Sequence, residues 1–176
     1  MSVLKVAIID DEPLARLRLK SLLAQSGVAT EVVGEFGESV TGLMWLREQD
    51  EAGTSPDMLL LDIQMPGLDG MVLAARLREL ARPPAVVFVT AHAEHALRAF
   101  DLAAADYLTK PVRLERLQAS LARVLKLQVA APRPELAQAA EGTDAADVFV
   151  DLLDQFSWQH DLHGHRSWHR AVVRHG

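Results

Sequence analysis

Three carboxylates stand in a row in VAIIDDEP: Asp10, Asp11 and Glu12 follow an apolar run directly and precede Pro13 directly. Like charges this close repel and raise one another's pKa, so the arrangement is unfavourable unless a cation sits among them. Other polar residues stand in the same relation to apolar runs. Asp62 closes DMLLLD, Thr90 closes AVVFVT and Lys110 follows DYLT. A competing reading makes Asp11 and Glu12 helix caps beside Pro13, as Asp69 is before GMVLAARL. Capping does not account for Asp62 and Lys110 in the same place.

The elements around these residues alternate regularly up to about Gln128. Leu4 to Ile9, Met58 to Leu61 and Ala85 to Val89 are short, continuous apolar runs, the pattern of strands covered on both faces. Thr30 to Phe36 is more mixed and Asp106 to Leu108 is short, which suits sheet edges. Helical spacing appears in Ala15, Leu19 and Leu22; in Leu73, Leu77 and Leu80; in Leu97, Phe100 and Ala104; and in Leu114, Leu117, Leu121 and Leu125. Repeated strand-helix units predict an α/β fold, a doubly wound parallel sheet. Its functional groups gather beyond the carboxyl ends of the central strands. Asp10, Asp11, Asp62, Thr90 and Lys110 therefore converge on one rim.

Composition bounds the setting. A chain of 176 residues has room for one ordinary domain and an appendage. No uninterrupted apolar segment reaches the ~20 residues that span a bilayer, and the start carries no secretion-signal pattern, so a cytoplasmic place is expected. The absence of cysteine excludes disulfides and thiolate metal sites. The net charge of -6 argues against a wholly basic nucleic-acid surface.

IIDDEP, LLLDIQMPGLDG, VVFVTAHAEHALRAF and DYLTKP, in this order, resemble the receiver domain of bacterial two-component response regulators from about Val3 to Gln128. AHAEHALRAFDLAAADYLTKPV and DDEPLARLRL are similar to the LytTR-type, alginate-regulator-like branch, whose members usually join a receiver to a β-rich DNA-binding domain. The resemblance implies a flavodoxin-like sheet of order 2-1-3-4-5 and a phosphoacceptor, Asp62, that takes a phosphoryl group from a sensor histidine kinase. It implies Mg²⁺ (or Mn²⁺) held by Asp11, Asp62 and the Gln64 backbone carbonyl, with Asp10 acting through water. Lys110 supplies a fixed cation and Thr90 a hydroxyl to the phosphoryl group. Thr90 and Tyr107 form the switch, remodelling a face of the fourth helix, fifth strand and fifth helix that includes His95, Arg98, Asp101, Tyr107 and Arg113 and suits a homodimer or partner. The bond between Lys110 and Pro111 is a candidate cis peptide.

Residues 129 to 147, with two close prolines and many alanines, read as a linker after a receiver over 1 to 128. Residues 148 to 176 read as a short tail with one or two helical turns in VFVDLLDQF, and no LytTR domain is recognisable in them. His160 with His163 and His165 with His169 have helix-face spacing suited to zinc or nickel, but Gly164 interrupts such a helix. Arg166, Arg170 and Arg174 flank Trp168, a thin footprint for nucleic acid. Two alternatives stand beside the switch: a DNA-binding regulator acting through the tail or a partner chain, and a metal-dependent phosphohydrolase with Asp62 as nucleophile. The second lacks a general acid, because Gln64 occupies the nearby position.

Overall fold

The computed structural model describes residues 2–92, 94, 102–130, 156–160 and 166–170. Two compact units divide the chain, Met1–Ala131 and Pro132–Gly176. In the first, five parallel strands form one sheet: β1 (Leu4–Ile9), β2 (Thr30–Phe36), β3 (Met58–Leu61), β4 (Ala85–Thr90) and β5 (Asp106–Thr109). Their spatial order is β2-β1-β3-β4-β5, so the mixed and short runs are the two edges and the three continuous apolar runs are interior. The helices are α1 (Pro13–Gln25), α2 (Ser39–Glu51), α3 (Gly70–Leu77) and the Leu114–Ala130 helix. The expected helix around Leu97 and Phe100 lies outside the described residues.

Alternation along each strand sends neighbouring side chains to opposite faces, which builds two cores. Val6, Ile8, Met58, Leu60, Val87 and Val89 meet Leu19, Leu22 and Leu23 of α1 and Leu117, Leu121 and Val124 of the last helix. Ala7, Ile9, Leu59, Leu61 and Phe88 meet Leu43 and Leu46 of α2 and Leu73 and Leu77 of α3. The spacing singled out in the sequence gives no pattern for α2. Val40 and Met44 are 54% and 58% exposed there, so apolar residues lie on both sides of that helix and blur its stripe.

Pro13 opens α1 without a side-chain cap from Glu12. Asp69 does cap α3, accepting from the Met71 N–H at 2.7 Å. The Leu114–Ala130 helix runs two residues into the stretch read as linker. In the second unit, β6 (Phe156–His160) and β7 (Arg166–Arg170) pair antiparallel, with Trp158 opposite Trp168 and Ser157 opposite His169. The helical turns expected over 148 to 156 fall outside the described residues except for Phe156, which begins a strand. The helix-face histidine spacing is corrected here: His160 and His169 lie in strands, and the register places them on opposite faces of the hairpin. His163, His165 and Arg174 lie outside the described residues.

Candidate functional site

Register decides what meets at the rim. Ile9 pairs with Leu61 across β1 and β3, and Thr90 with Thr109 across β4 and β5, so Asp10, Asp62 and Lys110 leave the sheet at one level. Backbone bonds continue the ladder one step beyond the strands. The Asp10 N–H donates to the Phe36 carbonyl at 3.0 Å, the Asp62 N–H to Ile9 at 2.9 Å and the Lys110 N–H to Thr90 at 2.8 Å.

The side chains converge on the Lys110 ammonium. It lies 2.9 Å from Asp10 Oδ2, 3.2 Å from Asp62 Oδ2 and 3.2 Å from Glu12 Oε1. Carboxylate oxygens of Asp10, Asp11, Glu12 and Asp62 all lie within 4.8 Å of one another. Asp10 Oδ1 accepts the Glu12 N–H at 2.9 Å. Asp10 Oδ2 is buried and has only the ionic approach of Lys110, in a direction that does not meet hydrogen-bond geometry. An all-oxygen set of crowded carboxylates with one buried oxygen lacking a hydrogen bond fits a hard divalent cation such as Mg²⁺ or Mn²⁺.

Burial pushes the Asp62 carboxyl up to about 6, with the Asp10 charge adding to it and Lys110 and the Gln64 N–H opposing. Burial lowers the Lys110 ammonium, but Asp10 and Asp62 outweigh it and hold the group above the usual lysine range. Lys110 is therefore charged while Asp62 remains a poised, partly desolvated carboxylate. Gln64 is exposed, and its N–H donates to Asp62 Oδ1 at 3.3 Å.

Thr90 is fully buried at the end of β4, and its hydroxyl oxygen accepts the His92 N–H at 3.3 Å. The half-buried Tyr107 hydroxyl donates to the His92 carbonyl, so both residues grip the segment after β4. Burial raises the Tyr107 phenol pKa, and the Glu94 charge adds to the rise. The Lys110–Pro111 bond is cis. Arg113 is exposed, while His95, Arg98 and Asp101 of the expected contact face lie outside the described residues.

Three features at the site escaped the sequence reading. Glu12 shares Lys110 with the two aspartates. The Ser39 hydroxyl, at the start of α2, donates to the Leu68 carbonyl at 2.6 Å and holds the loop after Asp62. Gly70 packs so closely that a Cβ there would lie 2.1 Å from the Asp62 carbonyl oxygen. The glycine was visible within LLLDIQMPGLDG, but its tight approach depends on how α3 returns to β3, which spacing alone does not give.

Residues 6–122 match the model of the response regulator receiver domain. The chain belongs to this family. It is 47% identical over 133 residues to the positive alginate biosynthesis regulatory protein of Pseudomonas aeruginosa, covering 73% of this chain and 51% of that protein. It is 41% identical over 122 residues to the transcriptional regulatory protein BtsR of Escherichia coli, covering 69% and 48%. The sensory transduction protein LytT of Bacillus subtilis is 38% identical over 125 residues, covering 71% and 49%. The chain thus spans about half the length of the curated relatives it matches. Among solved structures, the response regulatory domain of mrkE from Klebsiella pneumoniae superposes with a TM-score of 0.64 at 34% identity, covering 73% of this chain and all of that one. The receiver domain of a NarL-type regulator from Mycobacterium tuberculosis gives 0.62 at 29% identity, with 72% and 98% covered. The receiver is a switch module rather than a classical enzyme. Among the described residues, no helix is long and apolar enough to cross a membrane.

Proposed function

We propose that this receiver accepts a phosphoryl group on Asp62 from a phosphohistidine of a sensor kinase in the cytoplasm and thereby switches a protein-contact surface in transcription regulation. The observation that carries the reading is the buried Asp62 carboxylate 3.2 Å from the Lys110 ammonium, among carboxylate oxygens that call for a cation. An Asp62 oxygen attacks phosphorus, a P–O bond forms, and the P–N bond to the donor imidazole breaks with its electrons going to nitrogen. Lys110 draws negative charge on the phosphoryl oxygens toward a fixed cation, and the Thr90 hydroxyl becomes available to donate to one of them.

Asp11, Asp62 and the Gln64 backbone carbonyl would hold Mg²⁺ (or Mn²⁺) directly, with Asp10 through water. The ion supplies neutralisation of charge between nucleophile and phosphoryl group. The same groups assist loss of the phosphoryl group to water, which returns the switch. Turning of Thr90 toward the phosphoryl oxygen withdraws its oxygen from the His92 N–H, and Tyr107, bonded to the His92 carbonyl, follows that segment. The face carrying Tyr107 and Arg113 then pairs with a second copy or a partner. DNA is contacted only where an effector is supplied beyond the receiver or by a partner chain.

Intact mass after incubation with acetyl phosphate tests the reading. A single phosphoryl adduct is expected in wild type with Mg²⁺, and none with chelator or in Asp62→Asn. An adduct that survives Asp62→Asn overturns it, as does a folded wild type that acquires none.

A further inference from the structure

Two arginines, two residues apart on α1, each donate to a backbone carbonyl on a different wall of the site. Arg16 Nη1 donates to the Asp10 carbonyl at 2.7 Å, at the point where β1 ends and the acid pair begins. Its Nε pairs with Glu35 Oε1 of β2 at 3.0 Å, and Glu35 is fixed from its other oxygen by Lys20 at 2.7 Å. The guanidinium lies against Gly37, where a Cβ would come 3.2 Å from Nη1, and only 17% of the arginine side chain is exposed. Arg18 Nη2 donates to the Val112 carbonyl at 2.8 Å, two residues beyond Lys110. A second tie, Gln118 Nε2 to the Ser26 carbonyl at 3.0 Å, anchors the last helix to the other end of α1.

These bonds have a physical task. Lys110 and the carboxylates attract one another, and the opening between them must still admit a cation and a phosphoryl group. A planar guanidinium forms charge-assisted bonds of defined direction, so it can resist that attraction by holding main chain rather than side chain. Resting on the phosphoacceptor reading above, we propose that Arg16 and Arg18 are positioning residues: α1 acts as a brace that sets the gap between the acid pair and Lys110. Arg16 fixes the peptide joining Asp10 to Asp11, and hence the aim of the acid pair. Arg18 fixes the segment that carries Lys110. Neither side chain touches the reacting atoms.

Two readouts separate their tasks: calorimetric titration of the unphosphorylated protein with Mg²⁺, and the rate of adduct formation from acetyl phosphate at saturating Mg²⁺. Arg16→Gln is expected to weaken Mg²⁺ binding by roughly 10-fold, the ordinary effect of removing a group that orients metal ligands. Arg16→Lys should fall between, because one ammonium can serve the carbonyl or Glu35 but not both in the same geometry. Arg18→Gln should leave Mg²⁺ affinity at the wild-type value and slow adduct formation. Arg47→Gln, which removes an exposed cation of α2 outside this network, is the control and should leave both readouts unchanged. Urea unfolding of each variant supplies the folded fraction. Wild-type Mg²⁺ affinity in a folded Arg16→Gln protein overturns the inference, as does a loss that merely tracks the unfolded fraction. A wild type that binds no Mg²⁺ and takes no phosphoryl group refutes the phosphoacceptor reading instead.

Discussion

Replacing Asp62 with asparagine should stabilise the metal-free protein, and increasingly so as pH rises. Burial moves the Asp62 carboxyl from 3.8 to about 6 even with Lys110 beside it. The folded state therefore binds this proton more tightly than the unfolded chain does. The stability linked to it is fully present below the unfolded pKa and is lost as pH rises through the folded value. A rise of about two units corresponds to ~3 kcal/mol at pH 8, and screening by water at the mouth of the site reduces this to about 1–2 kcal/mol. Asparagine never ionises, so it escapes that cost, while Lys110 keeps Asp10 at 2.9 Å. Urea unfolding in chelator at pH 4.5 and pH 8 is the assay, and comparing the two removes any pH-independent effect of an amide in that position. The advantage of Asp62→Asn should be larger at pH 8 by about 1 kcal/mol, since at pH 4.5, above the unfolded value of 3.8, roughly a third of the effect is already present. Mg²⁺ should then close the gap by stabilising wild type more than the variant. An advantage that stays flat or shrinks with pH would refute the claim that ionised Asp62 is an unfavourable burden of the fold.

Gly70→Ala should cost roughly 2–4 kcal/mol in urea unfolding and suppress the acetyl phosphate adduct, because its Cβ would stand 2.1 Å from the Asp62 carbonyl oxygen and backbone must yield. A variant with wild-type stability and adduct would show that the loop after Asp62 is not held as described. Asp106→Ala removes the acceptor of the Ser120 hydroxyl, the Arg123 guanidinium at 3.2 Å and the Tyr107 N–H at 2.8 Å. It should destabilise the protein by roughly 1–3 kcal/mol, since these donors lose a largely buried carboxylate. It should leave Mg²⁺ affinity intact, and a calorimetric change in that affinity would argue for coupling from β5 to the acid pair.

The legibility of this protein in its sequence follows from which forces are local. Interior strands such as Met58–Leu61 and Ala85–Thr90 are apolar throughout because both faces meet helices, so their burial is written in consecutive residues. The polar residue ending each run marks the rim, which is why Asp10, Asp62, Thr90 and Lys110 could be placed together before any coordinates. The helix α2 was harder to read because Val40 and Met44 are exposed on it. Arg16, Arg18, Ser39 and Gly70 were missed for another reason. Each acts through main chain that is distant or differently aimed, and the Arg18 bond to Val112 spans 94 positions. In β6 and β7 the histidine spacing suggested a helix, whereas antiparallel pairing places alternate residues on one face and dissolves that pattern.

The polar groups of the rim hang from four strands that the chain delivers over a long interval, with Asp10 near the start and Lys110 after the last strand of the sheet. No contiguous fragment shorter than residues 10 to 110 contains both the acid pair and its ammonium. During synthesis the carboxylates are therefore made long before the cation that steadies them, and β5 must dock beside β4 before the two can meet. A chain halted before that step has neither an intact sheet edge nor a complete pocket. A fragment ending before β5 is therefore expected to take no phosphoryl group on Asp62, because it lacks the ammonium that faces that carboxylate.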